Sequence, residues 1–465
     1  MIARIGSVLN RWSRRWVPDP FVLALGLTLL VAVLGAVRWS QSGLSEQQGL
    51  FETLFLGLEV EPGKRVGGWF TELTNAALLA FALKMALILV TGHALALSPP
   101  VQRAIGVIAS IPRTAAQATV LVSVVACGAA LIHWGLGAIA GALLAREIGR
   151  HAAGRGLTLH YPLLGAAAYA GFAVWHGGLT GSAPTMMAGA KHLGGDLVGA
   201  VPMSDTVFGG LNLIVTGTLL VTIPLLFWAL TPRDAAEFVP PDPDQLAPLP
   251  PREAQPVESW VHWLQESWAV GLAVGALGSI IVIYALLFAQ LEFELDSIVL
   301  LFLFLSLLMQ GSIRHYVDAI ADGARGAGAI LLQFPFYFGI LGIMKATGMI
   351  AWISDAMVEV SSKATLPVVA YLSAGLVNLM VPSGGGQWAV QGDVLLSAGH
   401  RLGVDPATTI MAFSYGDAWT NMLQPFWALP LLGIMGLRAR DIIGYTAIVF
   451  VLMAVVVPIL LLALG

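Results

Sequence analysis

The sequence predicts an all-α polytopic membrane protein, and three observations carry this prediction. Of the 465 residues, 57% are hydrophobic and only 11% are charged, whereas a soluble chain carries roughly 25% charged residues. The mean hydropathy is +0.82, and no water-soluble fold could cover this much apolar surface. Apolar runs with almost no charge recur from Pro20 to the end of the chain, as expected of a chain that crosses the membrane many times.

Eleven of these runs are candidate membrane segments. One crossing takes about 20 residues. Residues 114–145 and 365–392 are longer and have Gly or polar residues near the middle, so each is predicted to be two helices that meet at a tip. The first run follows four arginines but is too long for a typical signal peptide, which favours a retained first helix. The candidates are 20–37, 73–97, 114–145, 161–190, 206–231, 269–290, 297–312, 326–344, 365–392, 406–436 and 442–464.

A Pro-rich, acidic segment divides the chain into two halves of similar size. Prolines and aspartates alternate around Pro240 and Asp242, which is the composition of a solvated, extended linker. The predicted domains are a first transmembrane repeat over residues 1–231 with a hairpin at about 114–145, a cytoplasmic linker over 232–260, and a second transmembrane repeat over 261–465 with a hairpin at about 365–402.

The two halves resemble each other in where their apolar segments are interrupted. Two interrupted segments at corresponding places in two halves are the best sequence pointer to a transporter binding site. Cytoplasmic loops carry the excess of Lys and Arg, so the N-terminus and the loops with Arg103, Arg146 and Arg314 are placed inside. The hairpins then face opposite ways. The sequence therefore predicts two inverted repeats, each with a broken or re-entrant helical hairpin, in a secondary-transporter architecture.

Composition and motifs exclude several other classes of protein. A net charge of −4 and a pI near 6.1 leave no basic surface for nucleic acid. Cys127 is the only cysteine, so neither an intrachain disulfide nor a Cys-rich metal site can form. The segment from Gly57 to Arg65 resembles a phosphate-binding loop, but its glycine spacing is one residue too long and Arg65 replaces the required Ser or Thr. We expect no enzyme, no metal and no cofactor, apart from a coupling ion, H⁺ or Na⁺.

The strongest local signal for a binding site lies in residues 381–388. Pro382 can end a helix, the three glycines allow an unwound backbone with positive φ, and a new helix can begin near Gln387. A helix N-terminus of this kind suits a carboxylate. The alternative is a plain kink, or close helix packing at small residues. The candidate substrate-binding residues here are Ser383, Gly384, Gly385, Gly386 and Gln387.

A second group of candidate substrate residues lies at the other interruptions. The histidine at the first tip can hydrogen-bond a carboxylate or take up a coupled proton. The equal alternative is a buried histidine whose hydrogen bonds are made within the protein and that has no role in transport. Hydroxyl and amide groups interrupt the runs 161–190 and 406–436, where Gly-rich packing is the alternative. The candidates are His133, Trp134 and Gly135 at the tip, and Thr180, Ser182, Thr420 and Asn421 in the two runs.

Ionisable residues inside membrane segments are costly and are functional by default. Asp417 is the candidate carrier of a cation or proton, and His176 is a further candidate for coupling. Lys84 lies midway along 73–97 and could neutralise a substrate anion or pair with an acid such as Asp417. A buried ion pair without a role in transport is the alternative for Lys84.

Several motifs resemble the bacterial short-chain fatty acid transporter (AtoE-like) family. They include the run 381–392, Tyr415-Gly416-Asp417, the run 424–430, and Gln333-Phe334-Pro335-Phe336-Tyr337. The resemblance covers nearly the whole chain. It implies a multi-pass carrier in the bacterial inner membrane, with a cytoplasmic N-terminus, for monocarboxylates such as acetoacetate or butyrate. A carrier of another organic anion, a channel or a membrane-embedded enzyme are the alternatives. The partners expected are the substrate and the lipid bilayer, and a homodimer is plausible.

Overall fold

The computed structural model describes residues 4, 6, 8–9, 11–12, 15, 18, 20–188, 198–242, 246, 259–288, 295–380, 384–424 and 426–465. These residues form helices almost throughout. Before the linker they are α1 (Pro20–Gln41), α2 (Leu50–Leu56), α3 (Trp69–Leu73), α4 (Ala76–Ala96), α5 (Pro99–Ala109), α6 (Ala115–Ile132), α7 (Trp134–Arg155), α8 (Tyr161–Tyr169), α9 (Ser182–Ala188) and α10 (Gly210–Leu230).

After the linker the helices are α11 (Trp260–Glu266), α12 (Trp268–Phe288), α13 (Leu295–Met309), α14 (Ile313–Gly326), α15 (Gly328–Ala346), α16 (Met349–Val358), α17 (Leu366–Met380), α18 (Gly384–Leu402), α19 (Pro406–Asn421), α20 (Leu429–Met435) and α21 (Ala439–Leu464). Six helices of the described chain are long and apolar enough to cross a membrane. The prediction of a helical, polytopic membrane protein is therefore confirmed.

A β-hairpin is the one amendment to the all-α prediction within the described residues. Strands β1 (Leu58–Glu61) and β2 (Lys64–Val66) pair antiparallel. They occupy the segment that resembles a phosphate-binding loop. Arg65 donates hydrogen bonds to the carboxylates of Glu52 and Glu59, and the bond to Glu52 raises the pKa of Arg65 above its ordinary value. Its side chain thus fixes the hairpin to α2.

Polar side chains cap the N-termini of several helices and explain where these helices begin. The Asn75 side chain accepts from the amides of Ala77 and Leu78 at the start of α4. Thr114 caps α6 in the same way, accepting from the Gln117 amide, and Asp405 caps α19. Because a cap satisfies first-turn amides that lack an intrahelical acceptor, these residues set the helix starts.

Several of the long apolar runs are divided into separate helices, as the Gly and polar residues inside them predict. A single extended residue, His133, separates α6 from α7. The second arm of this hairpin continues to Arg155, ten residues past the predicted end, and stops where Gly156 takes a left-handed conformation with φ +66°. Run 161–190 divides into α8, two 3₁₀ turns (Ala170–Ala173 and Trp175–Gly177) and α9. Run 406–436 divides into α19 and α20.

The two halves share a core instead of folding side by side. Helix α4 of the first half packs against α13, α14 and α15 of the second. His93 Nε2 lies 2.8 Å from Asp322 Oδ2, and the Gln310 side chain donates to the carbonyl of Ala94. Helix α9 contacts both α18 and α19. The first-half segment that holds the second 3₁₀ turn and α9 therefore packs against helices of the second half.

Helices α17 and α19 cross closely at Gly416. A Cβ at this position would lie 2.1 Å from the carbonyl oxygen of Tyr371, which is backbone and cannot rotate away. We expect Gly416→Ala to force the helices apart and to lower the free energy of unfolding by about 1–3 kcal/mol, as overpacked cores do. Gly217→Ala in α10 is the control, because no atom lies within 4 Å of its added Cβ.

Thermal unfolding of both purified variants measures this difference. An unchanged unfolding temperature for Gly416→Ala would show that the crossing tolerates a methyl group, contrary to the packing described.

Candidate functional site

The interrupted segment after α8 is held in place by Asn212 of α10. The Asn212 side-chain nitrogen donates to the carbonyls of Gly177 and Val207, and its oxygen accepts from Thr216 and from the Tyr415 hydroxyl at 2.9 Å. All of these groups are buried. These four hydrogen bonds of Asn212 hold the second 3₁₀ turn, Trp175–Gly177, against α10 and α19.

His176 in this turn is paired with Asp417 of α19. The two atoms His176 Nε2 and Asp417 Oδ1 are 2.8 Å apart, and the two side chains are 1% and 2% exposed. The backbone amide of Ser182 donates to His176 Nδ1 at 3.3 Å. Because Nδ1 accepts a hydrogen bond, the ring proton lies on Nε2 and is donated to the carboxylate. A residue from each half therefore meets at one buried, hydrogen-bonded pair.

Asn378 of α17 links the other polar residues of the second half. Its side-chain nitrogen lies 2.9 Å from each of three oxygens, the Asp417 carbonyl, Thr420 Oγ1 and Asn421 Oδ1, and shares its two hydrogens among them. Gln424, in the turn after α19, donates to the carbonyl of Asn378. Thr420 and Asn421, which the sequence selects as candidates, thus bind other side chains around Asp417.

The glycines after the second tip begin a helix. Helix α18 begins at Gly384, three residues before the expected start at Gln387, and none of its first three residues has a positive φ. The expectation of an unwound glycine backbone was therefore wrong. The physical reason for glycine is close approach, since a Cβ at Gly384 would lie 2.8 Å from His176 Cε1 and 3.1 Å from Ser182 Oγ.

The remaining candidates at this tip differ in their surroundings. Gly385 has more room, because its added Cβ would be 3.6 Å from Met186 Sδ. Gly386 is half-buried. Gln387 is buried and donates to the carbonyl of Ala374 and to Gln391. Ser383 lies outside the described residues.

The first tip is a capped helix start. His133 is 1% exposed, and its Nδ1 accepts from the amide of Gly135 at 3.0 Å. This bond uses one of the two ring nitrogens for capping α7. Trp134 is half-buried, and its ring centroid lies 6.5 Å from that of Trp175. Trp175 in turn lies against His176, with centroids 3.6 Å apart.

The loop between Trp175 and α9 connects the two tips. The amide of Leu179 donates to the carbonyl of Leu131, just before the first tip, at 2.7 Å. Thr180 Oγ1 and Trp175 Nε1 are buried atoms with no hydrogen-bond partner among the described residues. The segment that carries His176 therefore holds two buried groups, Trp175 Nε1 and Thr180 Oγ1, that can each donate a hydrogen bond and have no partner in the described part of the chain.

Lys84 takes no part in this cluster. Its amine lies 2.7 Å from Asp296 Oδ2, and the two side chains are 41% and 49% exposed. The suggested pairing of Lys84 with Asp417 was wrong, because Asp417 is enclosed by α17 and His176 while Lys84 lies on the outer face of α4. The structure brings together His176, Ser182, Gly384, Asp417, Thr420 and Asn421, with His133, Trp134, Gly135 and Thr180 on the side of the first tip. Gln387 instead binds Ala374 and Gln391, within the hairpin of α17 and α18.

Sequence reasoning gave no role to Asn212, Asn378 or Gln424. Each is an amide side chain inside or beside an apolar helix. An amide is costly in lipid unless it is hydrogen-bonded, so its presence is the signal that could have selected these residues. The signal does not reveal the partners, which lie up to 203 residues away in the case of Asn212 and Tyr415.

A buried polar site where interrupted helices from two halves meet, inside a bundle of apolar spans, defines the class of protein as a membrane transporter. Residues 1–464 match the family described as short chain fatty acid transporter. The chain belongs to this family. The resemblance predicted from its motifs is thereby confirmed, and the family is one of transporters rather than enzymes.

Two curated relatives cover nearly the whole chain. A protein of Escherichia coli (strain K12) is 38% identical over 460 residues, which is 97% of each chain, and is named "Putative short-chain fatty acid transporter". A protein of Haemophilus influenzae with the same name is 34% identical over 464 residues, again 97% of each chain. Among solved structures, the YdaH transporter of Alcanivorax borkumensis aligns with 96% of this chain and 97% of its own, at 15% identity and a TM-score of 0.40.

Proposed function

We propose that this protein carries short-chain monocarboxylates, such as acetoacetate and butyrate, across the bacterial inner membrane by alternating access. The observation that carries the proposal is the approach of the α18 N-terminus to His176 and Ser182, two residues of a segment that also holds two unused buried donors. First-turn amides of a helix have no intrahelical acceptor and carry partial positive charge. A carboxylate placed there would accept from these amides, from Trp175 Nε1 and from Thr180 Oγ1. Ser383 is proposed as a further contact.

The alkyl tail of the substrate would lie along the aromatic residues toward the first tip. Trp134 is within 5.3 Å of Trp427 and 6.1 Å of Phe172, measured between ring centroids. The walls of this region are therefore apolar, and they are close enough to limit tail length. We expect Trp134→Ala to extend the range of accepted acids from butyrate to hexanoate and longer chains.

Competition by a series of straight-chain acids against labelled butyrate measures this effect. Phe51→Ala is the control, because Phe51 is an exposed aromatic residue far along the chain from the tip. An unchanged chain-length series in Trp134→Ala would place the tail elsewhere.

Alternating access is supported by how the two hairpins contact the segment 175–182. The tip between α6 and α7 binds Leu179, and the start of α18 lies against His176. Movement of one hairpin would uncover the site on one side while the other hairpin keeps it closed. We retain the proposed division into inverted repeats over residues 1–231 and 261–465. The pair His176–Asp417, which joins both, is the proposed coupling site for H⁺ or Na⁺.

Contacts near the linker support a cytoplasmic N-terminus. Gly6 lies against Leu230 and Tyr445, and the amide of Tyr161 donates to the carbonyl of Val239. The N-terminal segment and the start of the linker are thus on one face, together with Arg438. Because basic residues favour the cytoplasmic side, this face is proposed to be cytoplasmic.

A homodimer is supported by the ion pair of Lys84 and Asp296. Both side chains are two-fifths or more exposed on the outer face, where a single copy would present charges to lipid. Charges facing acyl chains are costly, and a second copy would cover them. Cross-linking at position 84 in native membranes tests this arrangement.

Uptake of labelled butyrate and acetoacetate into proteoliposomes tests the proposed function. The experiment compares a pH gradient, a sodium gradient and no gradient. We expect saturable uptake that one cation gradient accelerates. No uptake by folded protein under any of the three conditions would refute the substrate class, and other small organic anions would then be examined.

A further inference from the structure

Three buried oxygens beside the His176–Asp417 pair accept no hydrogen bond from any described residue. They are Asp417 Oδ2, Asn378 Oδ1 and Gln424 Oε1, on residues that are 1%, 0% and 9% exposed. Buried polar atoms of native proteins are almost always satisfied. All three unused atoms are acceptors, so what would satisfy them is a positively charged species or a set of donors.

The three residues form one cluster. Asn378 donates to the Asp417 carbonyl at 2.9 Å, and Gln424 donates to the Asn378 carbonyl. The orientation of the Asn378 amide follows from two carbonyl oxygens, of Asp417 and of the Asn421 side chain, which lie 2.9 Å from its nitrogen and can only accept. His176 occupies Asp417 Oδ1, which leaves the other carboxylate oxygen for a ligand.

The ends of two helices add to the negative potential of this cluster. Asn378 lies two residues before the end of α17, and Asp417 lies four residues before the end of α19. Helix C-termini carry partial negative charge, and in interrupted membrane helices such ends coordinate cations. The N-terminus of α18, which carries partial positive charge, approaches the His176 ring of the pair.

We propose that Asp417, Asn378 and Gln424 bind a monovalent alkali cation of the size of sodium. The site supplies a single carboxylate and two neutral amide oxygens. Divalent cations take more carboxylates or more water, and the described residues contain no group of three or more His, Cys, Asp or Glu that could hold a metal. A proton on Asp417 Oδ2 could be donated to only one amide oxygen, whereas a cation can be ligated by several oxygens at once.

The inference rests on the proposed function in one respect, since the cation would balance the charge of a bound carboxylate. Asp417 would then belong to the cation site, while the start of α18 belongs to the anion site. His176 lies between the two sites and contacts both. Because the two ions have opposite charges, each would strengthen binding of the other, and linkage requires the two effects to be equal.

Thermal unfolding of the purified, full-length protein tests the cation site without any substrate. Sodium chloride is titrated against choline chloride at constant ionic strength and pH 7.5. We expect a saturable rise in unfolding temperature with sodium and none with choline, because a ligand that binds only the folded state stabilises it.

Asp417→Asn is the decisive variant. It keeps an oxygen to accept from His176 and places an amide donor where Oδ2 was, so it would satisfy the amide oxygens as the cation does. We expect its unfolding temperature in choline to equal or exceed that of the wild type, with no response to sodium. Asp393→Asn, which removes an exposed carboxylate on α18, should respond to sodium as the wild type does.

A second variant keeps the test decisive if Asp417→Asn does not fold. Gln424→Met preserves side-chain length and removes one ligand, and we expect at least a tenfold higher half-saturating sodium concentration. Equal responses to sodium and choline in the wild type would overturn the proposal. So would a rise in unfolding temperature on acidification without any response to sodium, since the missing species would then be a proton.

Transport and cation binding can fail separately. A sodium response together with no uptake of butyrate would leave the cation site standing and refute the proposed substrate. Saturable butyrate uptake with no sodium response would refute the cation site and leave the carrier function standing.

Discussion

Gly384→Ala is expected to abolish butyrate uptake, whereas Gly385→Ala should leave most of it. The added Cβ at Gly384 would lie 2.8 Å from His176 Cε1 and 2.9 Å from Nε2. The methyl group would therefore push the start of α18 away from the His176–Asp417 pair. At Gly385 the nearest atom is 3.6 Å away, an ordinary contact. A misplacement of about 1 Å can cost 100-fold when several groups must converge on one ligand.

The two variants form a matched pair, because each adds one methyl group to the first turn of the same helix. Initial rates of labelled butyrate uptake into proteoliposomes, normalised to reconstituted protein, give the comparison. Near-normal uptake by Gly384→Ala, or equal losses in both variants, would show that the close approach to His176 has no part in transport.

His176→Leu is expected to lower the free energy of unfolding by about 3–5 kcal/mol, because it leaves a buried carboxylate without its partner. Both side chains of the pair are almost completely buried, at 1% and 2% exposure. Adding Asp417→Asn to His176→Leu removes the unpaired charge as well. The double variant should therefore recover more than half of the lost stability, although it should remain inactive in uptake.

Denaturant unfolding of the wild type, both single variants and the double variant completes a thermodynamic cycle. Stability losses that simply add would mean that the two residues do not interact. Glu46→Gln serves as a control for the removal of a carboxylate, because Glu46 is an exposed residue outside this site.

The fold class and the positions of the helix breaks could be predicted because both depend on local sequence. Low charge and long apolar runs predict spans, and Gly, Pro and polar residues inside a run predict an interruption. The break at His133 and the interruption between Trp175 and Pro184 were found in this way, although the regular helix already ends at Tyr169. The inverted arrangement of the two repeats remains a prediction.

The partners of the polar residues could not be predicted, because they depend on how distant segments pack. His176 and Asp417 are 241 residues apart, and nothing near either residue identifies the other. By charge, Lys84 was the more obvious partner for Asp417, yet the fold places Lys84 on the outer face of α4, where it pairs with Asp296. Gly384 was selected for its backbone freedom, but its lack of a side chain matters for a contact that only the folded structure shows.

Counterflow of labelled butyrate in wild-type proteoliposomes, without any ion gradient, is the most direct test of a carrier for short monocarboxylates. Vesicles are loaded with unlabelled butyrate and diluted into a trace of labelled butyrate. A carrier with one alternating site predicts that label accumulates transiently above its equilibrium level and then declines, and that Gly384→Ala does not show this overshoot. Entry of label that rises only to equilibrium, as through a channel, or no entry at all, would contradict the carrier.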